Sequence, residues 1–194
     1  NGQIYTAESP SGVVFYDSVS YITNQKSNLI QVFDLNNFTL IASIPVSNSP
    51  RGMSLSKNKN TLFVTHFSSG EISVIDTAEL SVIKTISLGS RAGLTQAFVI
   101  DEGEAVAYVP NTMRNSDNKN LIFDNTVFPF VSIIDLNELI HLRGERIALD
   151  IIDKPVGMQL EAALQNSILY VANAASNDLT IIDLKSKKAL AHVE

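Results

Sequence analysis

A short alternation of apolar and polar positions recurs four times along the chain. It reads Tyr21-Ile22-Thr23-Asn24, Phe63-Val64-Thr65-His66, Tyr108-Val109-Pro110-Asn111 and Tyr170-Val171-Ala172-Asn173. A second pattern follows each copy: Ile30-Gln31-Val32-Phe33-Asp34, Ile72-Ser73-Val74-Ile75-Asp76, Val131-Ser132-Ile133-Ile134-Asp135 and Leu179-Thr180-Ile181-Ile182-Asp183. Positions one, three and four are apolar and position two is polar. The segments are rich in β-branched residues and too short for helices, so they predict strands. Both faces are apolar, so the predicted sheets must be covered on both sides.

Each second pattern ends in Asp and opens a polar turn. An Asp carboxylate accepts backbone N–H groups one or two residues on and so fixes such a turn. The repetition of Asp34, Asp76, Asp135 and Asp183 points to one structural task done four times. A further strand is predicted after each turn, at 40–46, 82–88, 145–151 and 189–193. A Pro-x-Gly step precedes three copies: Pro10-Ser11-Gly12, Pro50-Arg51-Gly52 and Pro155-Val156-Gly157. In the remaining copy Arg91-Ala92-Gly93 takes that place. The expected unit has an inner strand after Pro-x-Gly, a second with the aromatic pattern, a third ending in Asp and an outer fourth.

The period is about 42 residues. From aromatic to Asp the distance is 13 residues in three copies (21 to 34, 63 to 76, 170 to 183) and 27 in the third, 108 to 135. Four-stranded units of this length, apolar on both faces, are blades of an all-β propeller with antiparallel strands. The predicted division is a lead-in strand or linker at 1–9, then blades at 10–49, 50–90, 91–153 and 154–194. Blade three carries a loop insert at 112–128.

The three motifs in register resemble the YVTN β-propeller repeat family, the surface-layer-type and YncE-like propellers found outside the cytoplasm. That family usually closes with about seven blades, so the resemblance implies that four blades are part of a larger ring. The insert running into Val131-Ser132-Ile133-Ile134-Asp135 resembles one in the branch joined to c-type cytochrome modules. The resemblance implies a periplasmic, extracellular or cell-surface location.

Composition narrows the chemistry. The 194 residues carry 14 basic and 20 acidic side chains, a net charge of −6. No basic cluster appears, so a nucleic-acid partner lacks its electrostatic footprint. Cysteine is absent. That excludes disulfides, thiolate metal sites and covalent haem attachment within the chain, and a haem would have to come from another segment. No apolar run approaches the length of a transmembrane helix. An opening Asn without a signal-peptide pattern is what a processed or excised segment has.

Strand alternation places the second-to-third loops and the blade-to-blade connections on one face, where propellers commonly bind ligands. Arg51, Arg91 and Lys154 are expected there at equivalent places, with His66, Asn111, Arg114 and Asn173, as a face for an anionic ligand or acidic partner. The insert is rich in oxygen ligands, and Asp117, Asn120 and Asp124 make calcium the expected cofactor if the loop holds one. His66, His141 and His192 are expected in a top loop, a turn and an outer strand, and nothing in the sequence brings them together as a copper or zinc site needs. There is no Gly-x-Ser-x-Gly, P-loop or dinucleotide fingerprint. The expected function is an extracytoplasmic binding or scaffold module for a protein or cell-surface partner. The alternatives are the propeller portion of a periplasmic redox protein, partnered by a cytochrome domain or by the remaining blades, and a propeller lyase or lactonase.

Overall fold

The computed structural model describes residues 3–115, 126–150 and 155–194. The calcium candidates Asp117, Asn120 and Asp124, and Lys154, lie outside them. Four antiparallel sheets follow one another along the chain. The first is β1 (Pro10–Tyr16), β2 (Val19–Asn24), β3 (Leu29–Asp34) and β4 (Thr39–Pro45), in that spatial order. The second is β5 (Pro50–Leu55), β6 (Thr61–His66), β7 (Glu71–Asp76) and β8 (Ser81–Ser87). The fourth is β15 (Gln159–Gln165), β16 (Ile168–Asn173), β17 (Asp178–Asp183) and β18 (Lys188–Val193). These are the expected four-stranded blades.

Blade three departs from the pattern. Its long central pair is β11 (Val106–Arg114) and β12 (Val127–Asp135). The inner position is split between β9 (Ala92–Gly93) and β10 (Val99–Asp101), both paired to β11. The outer position is split between β13 (Ile140–His141) and β14 (Ile147–Ala148), both paired to β12. The outer strand expected at 145–151 is therefore broken, and His141 lies in a strand rather than a turn. The insert expected as a loop from residue 112 begins instead as a longer hairpin. Thr112 pairs with Pro129, Met113 with Phe128 and Arg114 with Val127. Each inner and outer flank needs two short strands to cover this extended ladder.

Turns follow the carboxylate rule. Asp76 Oδ1 accepts from the N–H groups of Ala78 and Glu79, and Asp135 Oδ1 from those of Asn137 and Glu138. Asp34 and Asp183 hold the N–H two residues on. The fourth residue after each Asp (Phe38, Leu80, Leu139 and Lys187) has positive φ, from 48° to 59°. Apolar side chains rarely adopt that backbone. The Asp cap and the strand pair that closes over the turn hold it there.

Three buried clusters fill the seams between successive blades. Tyr21, Ile30 and Val32 of blade one meet Leu62, Val64 and Ile75 of blade two. Phe63, Ile72 and Val74 of blade two meet Ala107, Val109 and Ile134 of blade three. Tyr108, Val131 and Ile133 of blade three meet Leu169, Val171 and Ile182 of blade four. The aromatic position and positions one and three of the Asp-ending strand thus face forward, onto the next blade. Position four, with the residues flanking the aromatic, faces back. Burying one such side chain stabilises by roughly 1.5–3 kcal/mol. Phe63 and Phe98 stack across the second seam with centroids 4.7 Å apart.

Close approach at the seams requires glycine. A Cβ on Gly52 would stand 1.7 Å from the Gln96 carbonyl oxygen of the next blade, and one on Gly12 would stand 2.5 Å from that of Arg51. Gly144 has open space around it. Gly52→Ala is expected to cost about 3 kcal/mol, at the upper end for overpacking. Gly144→Ala is expected to stay within about 0.5 kcal/mol of the parent. Urea unfolding midpoints of the two variants check this difference.

Candidate functional site

Asn24, His66 and Asn173 end the second strand of their blades, where the topology turns toward the loop face, and Asn111 holds the same place in β11, which runs on to Arg114. Their side chains point into the sheet rather than out to a ligand. His66 and Asn24 are fully buried, and Asn111 and Asn173 are nearly so. Asn111 Nδ2 donates to Ser132 Oγ at 2.8 Å. Asn173 Nδ2 donates to Thr180 Oγ1 at 2.7 Å and to Asp178 Oδ1 at 2.7 Å. His66 Nε2 lies 2.9 Å from Ser73 Oγ. In blades two to four the polar second position of the Asp-ending strand is therefore the internal partner of His66 or the motif Asn, whereas in blade one Asn24 Nδ2 donates to the Ile22 carbonyl and Gln31 Oε1 accepts from the Ala7 N–H. Expected as face residues, His66, Asn111 and Asn173 are strand-to-strand pins, each worth about 1 kcal/mol as a hydrogen bond. The sequence signal for this pairing is that both positions stay polar in all four blades.

The inner-strand register moves two further expected positions. Pro10 pairs with Asn24, Pro50 with His66 and Gln159 with Asn173, each followed by a bulge. The residue before each (Ser9, Ser49 and Met158) has φ of 56–57°, and Leu94 has 56° in blade three. Arg51 is thus matched by Gln96 and Leu160, not by Arg91 and Lys154. The hydrogen bonds agree. Thr23 Oγ1 donates across the first seam to the Arg51 carbonyl at 2.9 Å, and Thr65 Oγ1 across the second to the Gln96 carbonyl at 2.8 Å. Blade three has Pro110 at this position, which has no donor to give. Its seam is bridged by Gln96 Nε2 to the Gln159 carbonyl at 3.1 Å and by Thr112 Oγ1 to Gln159 Oε1 at 3.0 Å. Pro155-Val156-Gly157 precedes this register by four residues, so the motif match in blades three and four was offset.

Arg51, Arg91 and Arg114 do share the loop face. The Arg51 guanidinium lies over the Phe67 ring, 5.5 Å from its centroid. Arg91 Nη1 reaches Asn115 Oδ1 at 3.4 Å, and the Arg91 carbonyl accepts from the Arg114 N–H at 3.0 Å. Arg91, Arg114 and Lys26 are exposed and Arg51 is half-buried. The opposite end is acidic, with Asp17, Asp34, Asp76, Asp101, Asp135 and Asp183 on its turns. The clefts at that end repeat from seam to seam. The one between blades three and four has a volume of about 370 Å³ and is lined by Asp101, Glu104, Tyr108, Glu145, Lys185 and Lys187. Burial, then Asp101 and Glu104, push the Tyr108 hydroxyl above the ordinary tyrosine value. Among the described residues, no three His, Asp or Glu side chains converge on a metal-sized site.

No protein-family model matches the chain, and no curated protein matches it. Solved structures do. Dihydro-haem d1 dehydrogenase NirN in complex with DHE aligns over 98% of this chain and 38% of its own, with a TM-score of 0.67 and 14% identity. The WD40 repeats of RRP9 align over 90% and 47%, with a TM-score of 0.64 and 14% identity. Hydrazine synthase of Kuenenia stuttgartiensis aligns over 87% and 62%, with a TM-score of 0.53 and 16% identity. The chain spans between about two fifths and three fifths of these structures. At such identities the likeness shows the fold alone. The chain has the β-propeller fold, with blades one, two and four four-stranded and the inner and outer strands of blade three each split in two.

His66 carries the one pH prediction. Burial lowers its pKa below the ordinary 6.5, against smaller opposing effects from the Asn48 carbonyl, Glu71 and Ser47. The unfolded chain then binds more protons than the folded one below about pH 6.5, so stability falls as the pH drops through that region. Burial does the same at His141, helped by Arg143 and Arg146. His66→Asn keeps a donor for Ser73 and removes one of the two titrating groups. Urea midpoints at pH 7.5 and 5.5 should differ less in the variant than in the parent.

Proposed function

We propose that this chain is a binding and scaffold module of an extracytoplasmic β-propeller, which presents its cationic loop face to an acidic protein or cell-surface partner. The observation that carries the reading is the gathering of cations on the loop face. Lys26, Arg51, Arg91 and Arg114 stand at one end of the blades, and the Asp-capped turns stand at the other. Four cations gathered at one end of the blades, in a chain of net charge −6, orient an acidic partner to that face as it approaches, whereas Lys57, Lys59, Lys185 and Lys187 at the other end stand among the Asp-capped turns. The pins and caps that repeat from blade to blade are taken up by internal hydrogen bonds, which suits a rigid support. WD40 repeats, among the structures the fold resembles, are built of such blades.

A second reading, the propeller portion of a periplasmic redox protein, is favoured by the near-complete overlap with NirN. Haem would be supplied by another segment or chain. Titration of the chain with a soluble c-type cytochrome separates the readings, since the redox reading expects a complex at micromolar concentrations with a perturbed Soret band and the scaffold reading expects none.

The scaffold reading is tested on immobilised poly-glutamate. The combined Arg51→Gln, Arg91→Gln and Arg114→Gln variant should bind about tenfold more weakly, which is about 1.4 kcal/mol. Lys57→Gln with Lys185→Gln, at the opposite end, should bind like the parent. Equal affinity of the triple variant and the parent rejects the cationic face.

A further inference from the structure

Each seam has a cleft at the Asp-capped end, and the blades differ in what they put there. The cleft between blades one and two is lined by Tyr16, Tyr21 and Lys59, and no carboxylate lines it. In the cleft between blades two and three, Phe63 stands in the place of Tyr21, with Lys57 and Glu102. Glu102 Oε1 is taken there by the Lys57 N–H at 2.8 Å. Between blades three and four, Tyr108 stands in that place with Asp101, Glu104 and Glu145. Of the three clefts, this one alone joins the phenol to carboxylates.

Its two lysines already have carboxylates. Lys187 is paired with Glu145, and both side chains are half-exposed. The Ser186 hydroxyl, then the Lys185 N–H, hold the Asp183 carboxyl below its ordinary value, and the Lys185 ammonium adds to them. The corner around Tyr108 is left unmatched. Asp101 Oδ1 accepts from the N–H groups of Gly103 and Glu104, at 3.1 and 3.3 Å, which leaves Oδ2 without a donor. The Glu104 carboxylate has no hydrogen bond or ion pair among the described residues. Tyr108 is only 6% exposed, yet it lines the cleft. Its hydroxyl has no hydrogen-bond partner among the described residues, although a buried phenol usually finds one. Burial, then the charges of Asp101 and Glu104, raise its pKa, so the hydroxyl keeps its proton and stands toward those two carboxylates. Beside this polar corner, Val106, Ile133, Leu142 and Leu184 make an apolar wall.

We propose that the cleft between blades three and four, at the Asp-capped end, binds a small organic cation: a primary ammonium carried on an aromatic or branched apolar body. The carboxylates of Asp101 and Glu104 accept two of the ammonium N–H groups, and Tyr108 Oη accepts the third. The apolar body lies against the wall of Val106, Ile133, Leu142 and Leu184. The cleft volume of about 370 Å³ falls within the range of small-molecule sites. A lysine side chain of a partner protein offers the same ammonium on a thin stem, which leaves most of the apolar wall in water. The free amine is therefore the better occupant. The site lies at the opposite end from the cationic loop face and does not depend on the role of that face.

The test is a titration of the full chain with phenethylamine, followed by amide chemical shifts. The shifts should saturate in the millimolar range and centre on residues 101–106 and 184–187. Hydrocinnamate, which carries a carboxylate on the same ring and stem, should leave them unmoved. Tyr108→Phe gives blade three the ring that blade two has at Phe63, and should weaken phenethylamine about tenfold. Glu104→Gln removes one exposed charge and should weaken it about threefold. Tyr21→Phe, the same change in the first seam, should leave the affinity at the parent value. No saturation by phenethylamine, equal binding of hydrocinnamate, or parent-like affinity in both Tyr108→Phe and Glu104→Gln overturns the proposal. Capped lysine amide binding more tightly than phenethylamine overturns the choice of a free amine and assigns the cleft to a partner's lysine.

Discussion

The close approach of each blade to the next is the constraint on which the rest depends. At the first seam Gly12 leaves room for the Arg51 carbonyl, and Thr23 holds that carbonyl with its hydroxyl. At the second, Gly52 and Thr65 do the same for Gln96. Backbones this close let the aromatic of one blade and the aliphatic pair of the next exclude water between them. Both faces of a blade must then be apolar, which is why the Asp-ending strand is apolar at three of its first four positions. Polar second positions survive inside only because a motif Asn or His66 pins each of the last three.

The same constraint explains the irregular third blade. Pro110 removes the hydroxyl that clamps the first two seams, so Gln96, Thr112 and Gln159 form a longer bridge. The hairpin of β11 and β12 is extended at the same end, and the flanking strands break to follow it. The loop face there gathers Arg91 and Arg114 rather than a ring of equivalent cations. A face that is cationic but uneven is suited to one partner in one orientation.

Much of this was legible in the residues. The four-stranded unit, its period, the Asp caps and the position of the extra length in blade three all follow from spacing. What misled was local similarity without register. Arg91-Ala92-Gly93 and Pro155-Val156-Gly157 look like the place of Pro10 and Pro50 but lie four residues ahead of it, because the positive-φ residue before that place is Leu94 or Met158 instead of a Ser. No composition signal marks that backbone. The motif asparagines read as loop residues because Asn favours loops. Only the partner on the next strand, set by the hairpin register, turns them inwards.

The central claim is that seams, not single blades, hold the molecule. Native-state amide exchange resolved along the chain tests it most directly. The account predicts the slowest exchange in β6, β7, β11 and β12, which have a blade on each side, and exchange at least tenfold faster in β1, whose backward face is open. Equal protection of β1 and β6 would contradict it.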